Sequence, residues 1–153
     1  MKTNPPDGWP RLSVALYYDD PRAALDWLAK AFGLETRVCV TGPDGTIVHS
    51  EMEYGEAVVM IGGTVGYPNH KSPRALGGAN TQGVQIFVDD TDAHFARARA
   101  AGAVITYEPV NKEYGDRSYG ALDCEGHQWW FTQRLDESAW QSSIAPYKVK
   151  KAG

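Results

Sequence analysis

The sequence predicts an α+β fold in which one βαβββ unit is built twice in tandem, its curved mixed sheets set around a cleft. Three observations carry this expectation. Shifting the chain by seventy residues lays Val14-Ala15-Leu16-Tyr17-Tyr18-Asp19-Asp20 over Val84-Gln85-Ile86-Phe87-Val88-Asp89-Asp90. Each copy then runs into an Ala-rich helical stretch that stops at a glycine, Gly33 or Gly102. Beyond the glycine, each half continues with three short runs of strand character separated by turn residues. A fixed internal period means that one supersecondary unit recurs, and the unit has to be recognised before single residues are read.

The elements follow in order. Leu12 to Tyr18 reads as a strand, and Asp20 as an N-cap ahead of Pro21 at the first helical position, where a missing N–H costs nothing. Leu25, Leu28 and Phe32 fall at helical spacing, and Gly33 supplies the left-handed stop. Glu35 to Thr41 and Thr46 to Tyr54 form a hairpin around Gly42-Pro43-Asp44-Gly45, and Glu56 to Ile61 closes the first module. Gly, Pro, Asn and Ser then dominate a stretch long enough to be a linker or a lid over a site. The second module has a strand over Gly83–Val88 and a helix over Thr91–Ala101 capped by Asp90. Further strands are expected over Val104–Tyr107, Arg117–Leu122 and Gln128–Gln133. A short helix from Asp136 and a basic end at Lys148, Lys150 and Lys151 complete the chain. The expected boundaries are residues 11–62 and 83–134 for the modules, 63–82 for the linker and 135–153 for the tail, all within one domain.

Composition narrows the class of function. A net charge of −4 over 153 residues leaves no basic footprint, so nucleic acid is not an expected partner. No 18-residue apolar run occurs, and the first residues lack the apolar core of an export signal. No membrane partner is expected, and a cytoplasmic location is. Cys39 and Cys124 stand alone with no CxxC spacing, which points to two buried, reduced thiols rather than a disulfide.

The order of these signals resembles the vicinal oxygen chelate superfamily, which includes glyoxalase I, extradiol dioxygenases, and fosfomycin and bleomycin resistance proteins. The residues that carry it are Tyr18-Asp19-Asp20-Pro21, Ala31-Phe32-Gly33, Val88-Asp89-Asp90, Ala101-Gly102-Ala103 and the closing turn Asp123-Cys124-Glu125-Gly126-His127 before Gln128-Trp129-Trp130. Ile47-Val48-His49-Ser50-Glu51 and Tyr114-Gly115-Asp116-Arg117 are similar to the PhnB-like, glyoxalase-related branch. The resemblance implies metal-ligand positions on the first, fourth, fifth and eighth strands, here Ser13, Met60, Gly83 and Trp130. None is His, Glu or Gln, the side chains a divalent metal needs there, so no metal or other cofactor is expected.

Strand alternation nominates the cleft side chains. Tyr17, Gln85, Phe87, Gln128 and Trp130 face it, with Ser13, Ala15 and Thr132; Tyr119 and Arg117 join them as candidates. Val48, Ser50 and Met52 form the expected helix side of the third strand, which leaves His49 and Glu51 together on the cleft side. That pair suits a structural or ligand-orienting hydrogen bond, proton transfer, or metal ligation outside the usual positions. Asp116-Arg117 reads as an ion pair fixing a loop, or Arg117 as an anion contact. His127 is expected to tie down its turn, and His70 and His94 to be solvated. The rings of Tyr17, Phe87, Tyr119 and Trp130 suit a planar or hydrophobic small molecule, though they serve equally as core filling.

The expected function is therefore a metal-independent binder of a small planar molecule, working as a homodimer because both modules present strand edges. Two alternatives stand beside it. One is a metal-dependent lyase or dioxygenase with other ligands, and the other a metal-free enzyme using His49 and Glu51.

Overall fold

The computed structural model describes residues 4–146; the basic end at Lys148, Lys150 and Lys151 lies outside them. The first module comprises β1 (Val14–Tyr18), α1 (Pro21–Phe32), β2 (Glu35–Thr41), β3 (Ile47–Tyr54) and β4 (Ala57–Gly63). The second comprises β5 (Gly83–Phe87), α2 (Thr91–Ala100), β6 (Val104–Asn111), β7 (Asp116–Leu122) and β8 (Gln128–Arg134), followed by α3 (Glu137–Ile144). Each module makes one four-stranded sheet, ordered β1-β4-β3-β2 and β5-β8-β7-β6. In both, the first strand lies parallel to the last and the remaining pairs are antiparallel. The sequence repeat is thus a repeat of topology, and the two sheets do not close on one another.

Local chemistry explains where the elements begin and end. The Asp20 carboxylate accepts the Ala23 N–H at 3.0 Å and opens α1 with Pro21 behind it. Gly33 closes it at φ 75°, and a Cβ there would also strike the Arg97 guanidinium. β6 runs four residues past the expected Tyr107. Two register shifts and Pro109 break its alternation, and it tolerates them because it is an edge strand. A shift between Val40 and Thr41 likewise bulges β3, so Ile47 is buried and Val48, expected on the helix side, is exposed.

One core spans both modules. Helix α1 covers the first sheet, α2 covers the second, and the helices pack on each other. Phe32 at the end of α1 meets Phe131 at 4.7 Å and Trp129 at 5.4 Å across that junction. The second module also holds α1 by both ends. The Glu125 carboxylate accepts the Asp19 and Asp20 N–H groups at 2.7 and 2.9 Å, an anion at a helix N-terminus. At the other end Arg97 donates to the Ala29 and Lys30 carbonyls, and His94 to that of Phe32. His94, expected on a solvated helix surface, is therefore buried, because that surface is the junction with α1.

The segment between modules is a strap tied at both sides. It carries a 3-10 turn over Pro73–Leu76, capped by Ser72. Thr64 and Ser72 donate to Asp19, and Arg74 pairs with Asp19 and Glu125. His70, expected to be solvated, stacks between Tyr17 at 3.7 Å and Tyr67 at 5.0 Å. Both cysteines are free as expected, but they are exposed rather than buried.

Candidate functional site

The face of the second sheet turned away from α2 forms a cavity of about 610 Å³. Its floor is Gln85 and Phe87 of β5, Trp130, Thr132 and Arg134 of β8, and Asp116 and Ser118 of β7. Tyr107 and Lys112 close the β6 side, and Tyr114 and Trp140 the end below α3. All the lining residues come from the second module and α3.

Two glycines let rings lie against this sheet. Gly83 stands diagonally beside Trp130 on the paired strands, and a Cβ on it would overlap the indole. Gly120 is Trp130's direct partner on β7, and a Cβ there would overlap the Tyr107 ring. Glycine in a strand interior weakens the strand, and here the space it leaves is filled by a neighbouring ring. The first sheet repeats the device, with Tyr17 leaning on Gly62 at 3.1 Å from where a Cβ would be.

The cavity's charges are mostly spent on one another. Arg134 pairs with Asp116 through Nε and with Glu137 at 2.7 Å, and its guanidinium stands 5.2 Å from the Trp140 ring centroid. These contacts, with the Tyr114–Trp140 edge contact and the Gly115 carbonyl that accepts the Leu135 and Asp136 N–H groups, hold α3 at the cavity's end. No residue of α3 is itself buried.

Adjacent Trp129 and Trp130 take opposite faces. Trp129 is 0% exposed and donates its indole N–H to Asp123 at 3.0 Å, whereas Trp130 is 36% exposed in the cavity. Gln85, Phe87 and Trp130, nominated from sequence, meet here. Gln128 shares their face but lies outside the lining and donates to the Ala121 and Trp129 carbonyls.

Tyr119 does not reach the cavity. Its neighbour Gly120 faces it, and Tyr119 pairs with Phe131 on the helix side, fully buried, with its hydroxyl 2.7 Å from His94 Nδ1. A carbonyl only accepts, so His94 Nε2 carries the proton toward Phe32 and Nδ1 accepts from Tyr119. Arg117 shares the side of Tyr119. It forks onto both Asp92 oxygens at 2.7 Å and onto Asn111, so it braces α2 rather than a ligand, and Asp116 pairs with Arg134 instead.

The first sheet carries the other candidates. His49 Nε2 and Glu51 Oε1 are 2.6 Å apart, as their shared face requires, and Arg37 Nε sits 3.1 Å from Glu51 Oε2. Arg37 also approaches Glu53, stands 4.9 Å from the Trp9 ring centroid, and donates to the Gly8 carbonyl. Glu51 is buried, with Oε1 against His49 and Oε2 in an ion pair with Arg37 but without a hydrogen bond; His49 is exposed, and among the described residues no hydrogen bond reaches its Nδ1. Tyr17 lies apart from both groups, under His70 and beside a second cavity of about 250 Å³ that it shares with His127 and the strap. His127 ties its turn to the first module, with Nε2 2.9 Å from the Tyr17 carbonyl.

The positions that resemblance assigns to a metal do not fit one. Ser13 and Met60 offer a hydroxyl and a thioether, Gly83 has no side chain, and the Trp130 indole fills the space above Gly83. Among the described residues no three His, Cys, Asp or Glu side chains come together to hold a metal ion.

The sequence reading missed Tyr107, Lys112, Tyr114, Ser118, Arg134 and Trp140. Arg134 was within reach, since it continues the alternation Gln128, Trp130, Thr132. Tyr107 and Lys112 lie on or beyond the bulged part of β6, and Trp140 sits on a helix whose docking depends on Arg134.

Comparison with known proteins agrees with this fold. The family described as Glyoxalase/Bleomycin resistance protein/Dioxygenase superfamily matches residues 12–131. An uncharacterized protein of Mycobacterium tuberculosis strain H37Rv is 33% identical over 131 residues, which cover 84% of this chain and 76% of that one. The crystal structure of TioX from Micromonospora sp. ML1 superposes with a TM-score of 0.65 at 37% identity, covering 81% of this chain and 95% of TioX. The fosfomycin resistance protein FosX of Listeria monocytogenes, solved with Mn(II) and a dihydroxypropylphosphonic acid, gives a TM-score of 0.63 at 14% identity. That match covers 89% of this chain and 95% of FosX, and it is a likeness of fold alone.

Proposed function

Because the chain belongs to the glyoxalase/bleomycin resistance protein/dioxygenase superfamily, we propose that it binds a small, flat, hydrophobic molecule on the aromatic face of its second sheet, without a divalent metal. The observation that carries this reading is the pair of glycines, Gly83 and Gly120, that make room for Trp130 and Tyr107 on the cavity face. Rings laid on a sheet offer large area at low cost in side-chain entropy, which suits a planar ligand. The volume of about 610 Å³ falls within the range of small-molecule sites. In this reading the protein pairs as a homodimer, whose second copy covers the open face, and it works in the reducing cytoplasm with Cys39 and Cys124 as thiols.

The test is a titration with neutral 2-naphthamide, followed by tryptophan fluorescence and thermal shift. Saturable binding that Trp130→Ala weakens about tenfold or more supports the reading. No binding, or binding indifferent to Trp130→Ala, removes it.

A second reading rests on the 2.6 Å contact between His49 and Glu51. A neutral imidazole whose Nε2–H is held by the carboxylate presents the Nδ1 lone pair as a base. If a bound compound is converted, His49→Gln should abolish conversion and leave affinity unchanged. Conversion at the wild-type rate removes this reading.

A further inference from the structure

Lys112 is the one cavity cation among the described residues whose ammonium has no carboxylate. Arg134, the other, is held by Asp116 and Glu137, and Asp116 is committed to Arg134. The ammonium of Lys112 instead stands 4.6 Å from the centroid of the Tyr107 ring, and the residue is half-buried. That ring strips water from one side of the charge, which strengthens what an anion placed on the other side would feel.

The backbone around Lys112 is fixed. Its N–H donates to the Asp116 carbonyl at 2.7 Å, and its own carbonyl accepts from Gly115 at 3.0 Å. Gly115, at φ 91°, is in turn pressed against the Asp136 carbonyl. Tyr107 is anchored by its hydroxyl, 3.2 Å from Ser118 Oγ, and by the absence of a side chain at Gly120. The charge is therefore presented from a braced hairpin end beside the aromatic floor, not from a free surface side chain.

We propose that the cavity selects a flat aromatic acid: its rings lie on Trp130 and Phe87 and its anionic group meets the Lys112 ammonium. This rests on the reading of the cavity as an aromatic binding face and adds the chemical class of what it takes. A neutral ring system satisfies the floor and leaves Lys112 unpaired, and a cationic one adds repulsion.

The experiment uses a matched pair, 2-naphthoate and 2-naphthamide, which differ in charge and little in shape. Each is titrated into the full-length wild-type protein and Lys112→Met at low and high salt. The wild type should bind the acid about tenfold more tightly than the amide, the preference shrinking as salt rises. In Lys112→Met the preference should vanish while the amide keeps its affinity, which also shows that the variant is folded. Should that variant not fold, Lys112→Gln replaces it with the same expectation. Equal binding of acid and amide by the wild type, or a preference that survives loss of Lys112, overturns the proposal and leaves the aromatic reading standing. Failure of the amide to bind the wild type overturns the aromatic reading and this proposal with it.

Discussion

The indole of Trp130 occupies the place where a side chain on Gly83 would stand, so the two residues are one packing unit across β5 and β8. Gly83→Ala forces the far end of the ring off the sheet and into the cavity. The ring can move, so the stability cost should be about 1–3 kcal/mol, typical of overpacking. Affinity for a planar probe should fall by more than stability does. Denaturation curves and a probe titration on the same variant check this; unchanged affinity would show that the ring position is not what the ligand reads.

The neighbouring indole gives the contrasting case. Trp129 is wholly buried against Phe131 and Phe32 and hydrogen-bonded to Asp123. Trp129→Ala should destabilise the fold by about 3–5 kcal/mol, and leave the Asp123 carboxylate short of a donor. Trp130→Ala should cost less. Chemical denaturation of the two variants in parallel decides, and the reverse order would contradict the assignment of faces.

His94 makes stability depend on pH. Burial depresses its pKa below the ordinary imidazole value, against the opposing pull of the Phe32 carbonyl, and the Arg97 charge lowers it further. The folded value lies below the unfolded one, so the unfolded chain binds the proton first as pH falls. The contribution is complete above about 6.5 and is lost as pH drops through the folded value. Protonation would also turn Nδ1 from acceptor to donor against Tyr119, whose hydroxyl now points its proton there. Between pH 7.5 and 5, His94→Gln should show a flatter unfolding midpoint than wild type; parallel curves would remove His94 as the cause.

Much of the fold was legible because its signals are local. Asp20-Pro21 and Gly33 cap α1 by their own backbone and side-chain chemistry, and β1, β5 and β8 keep an unbroken alternation. Reading failed where a distant element decides. The buried side of α2 is Thr91, His94 and Ala98, which carries no apolar stripe; α1 and the second sheet bury it. Tyr119 was nominated for its ring, although pairing gives the cavity position to Gly120. The site was legible on β5 and β8, and hidden on β6 and α3, where bulges and an ion pair set the geometry.

Metal content separates the proposed reading from a metal-dependent one. Because Ser13, Met60, Gly83 and Trp130 supply no imidazole or carboxylate, elemental analysis after dialysis should find far less than one divalent ion per chain. Zinc, nickel, manganese or iron should likewise leave the unfolding midpoint where it is, since a ligand bound to the native state alone would raise it. About one retained ion per chain would restore the metal-dependent alternative, and Glu51, which lies beside Met60 across β3 and β4, would be the first ligand to test.

Oligomeric state follows from what a single chain leaves uncovered. Phe87 is 55% exposed and Trp140 38%, and both line the same open cavity as Trp130. Exposed rings gathered in a concave face are normally covered by a ligand or partner, even where polar groups such as Gln85, Ser118 and Thr132 lie between them. The first sheet's face at His49 is open too, and the charged groups around it, Arg37 and Glu53, suit it to border those rings rather than to extend them. A two-fold pair that sets the first sheet of one copy against the second sheet of the other covers both cavities at once and leaves no further patch to propagate. Light scattering should therefore give twice the chain mass over a wide concentration range. Phe87→Glu should shift that mass toward one chain without unfolding the protein, because Phe87 is more than half exposed and lies outside the buried cluster. A single-chain mass for the wild type throughout would mean that the second sheet binds its ligand uncovered.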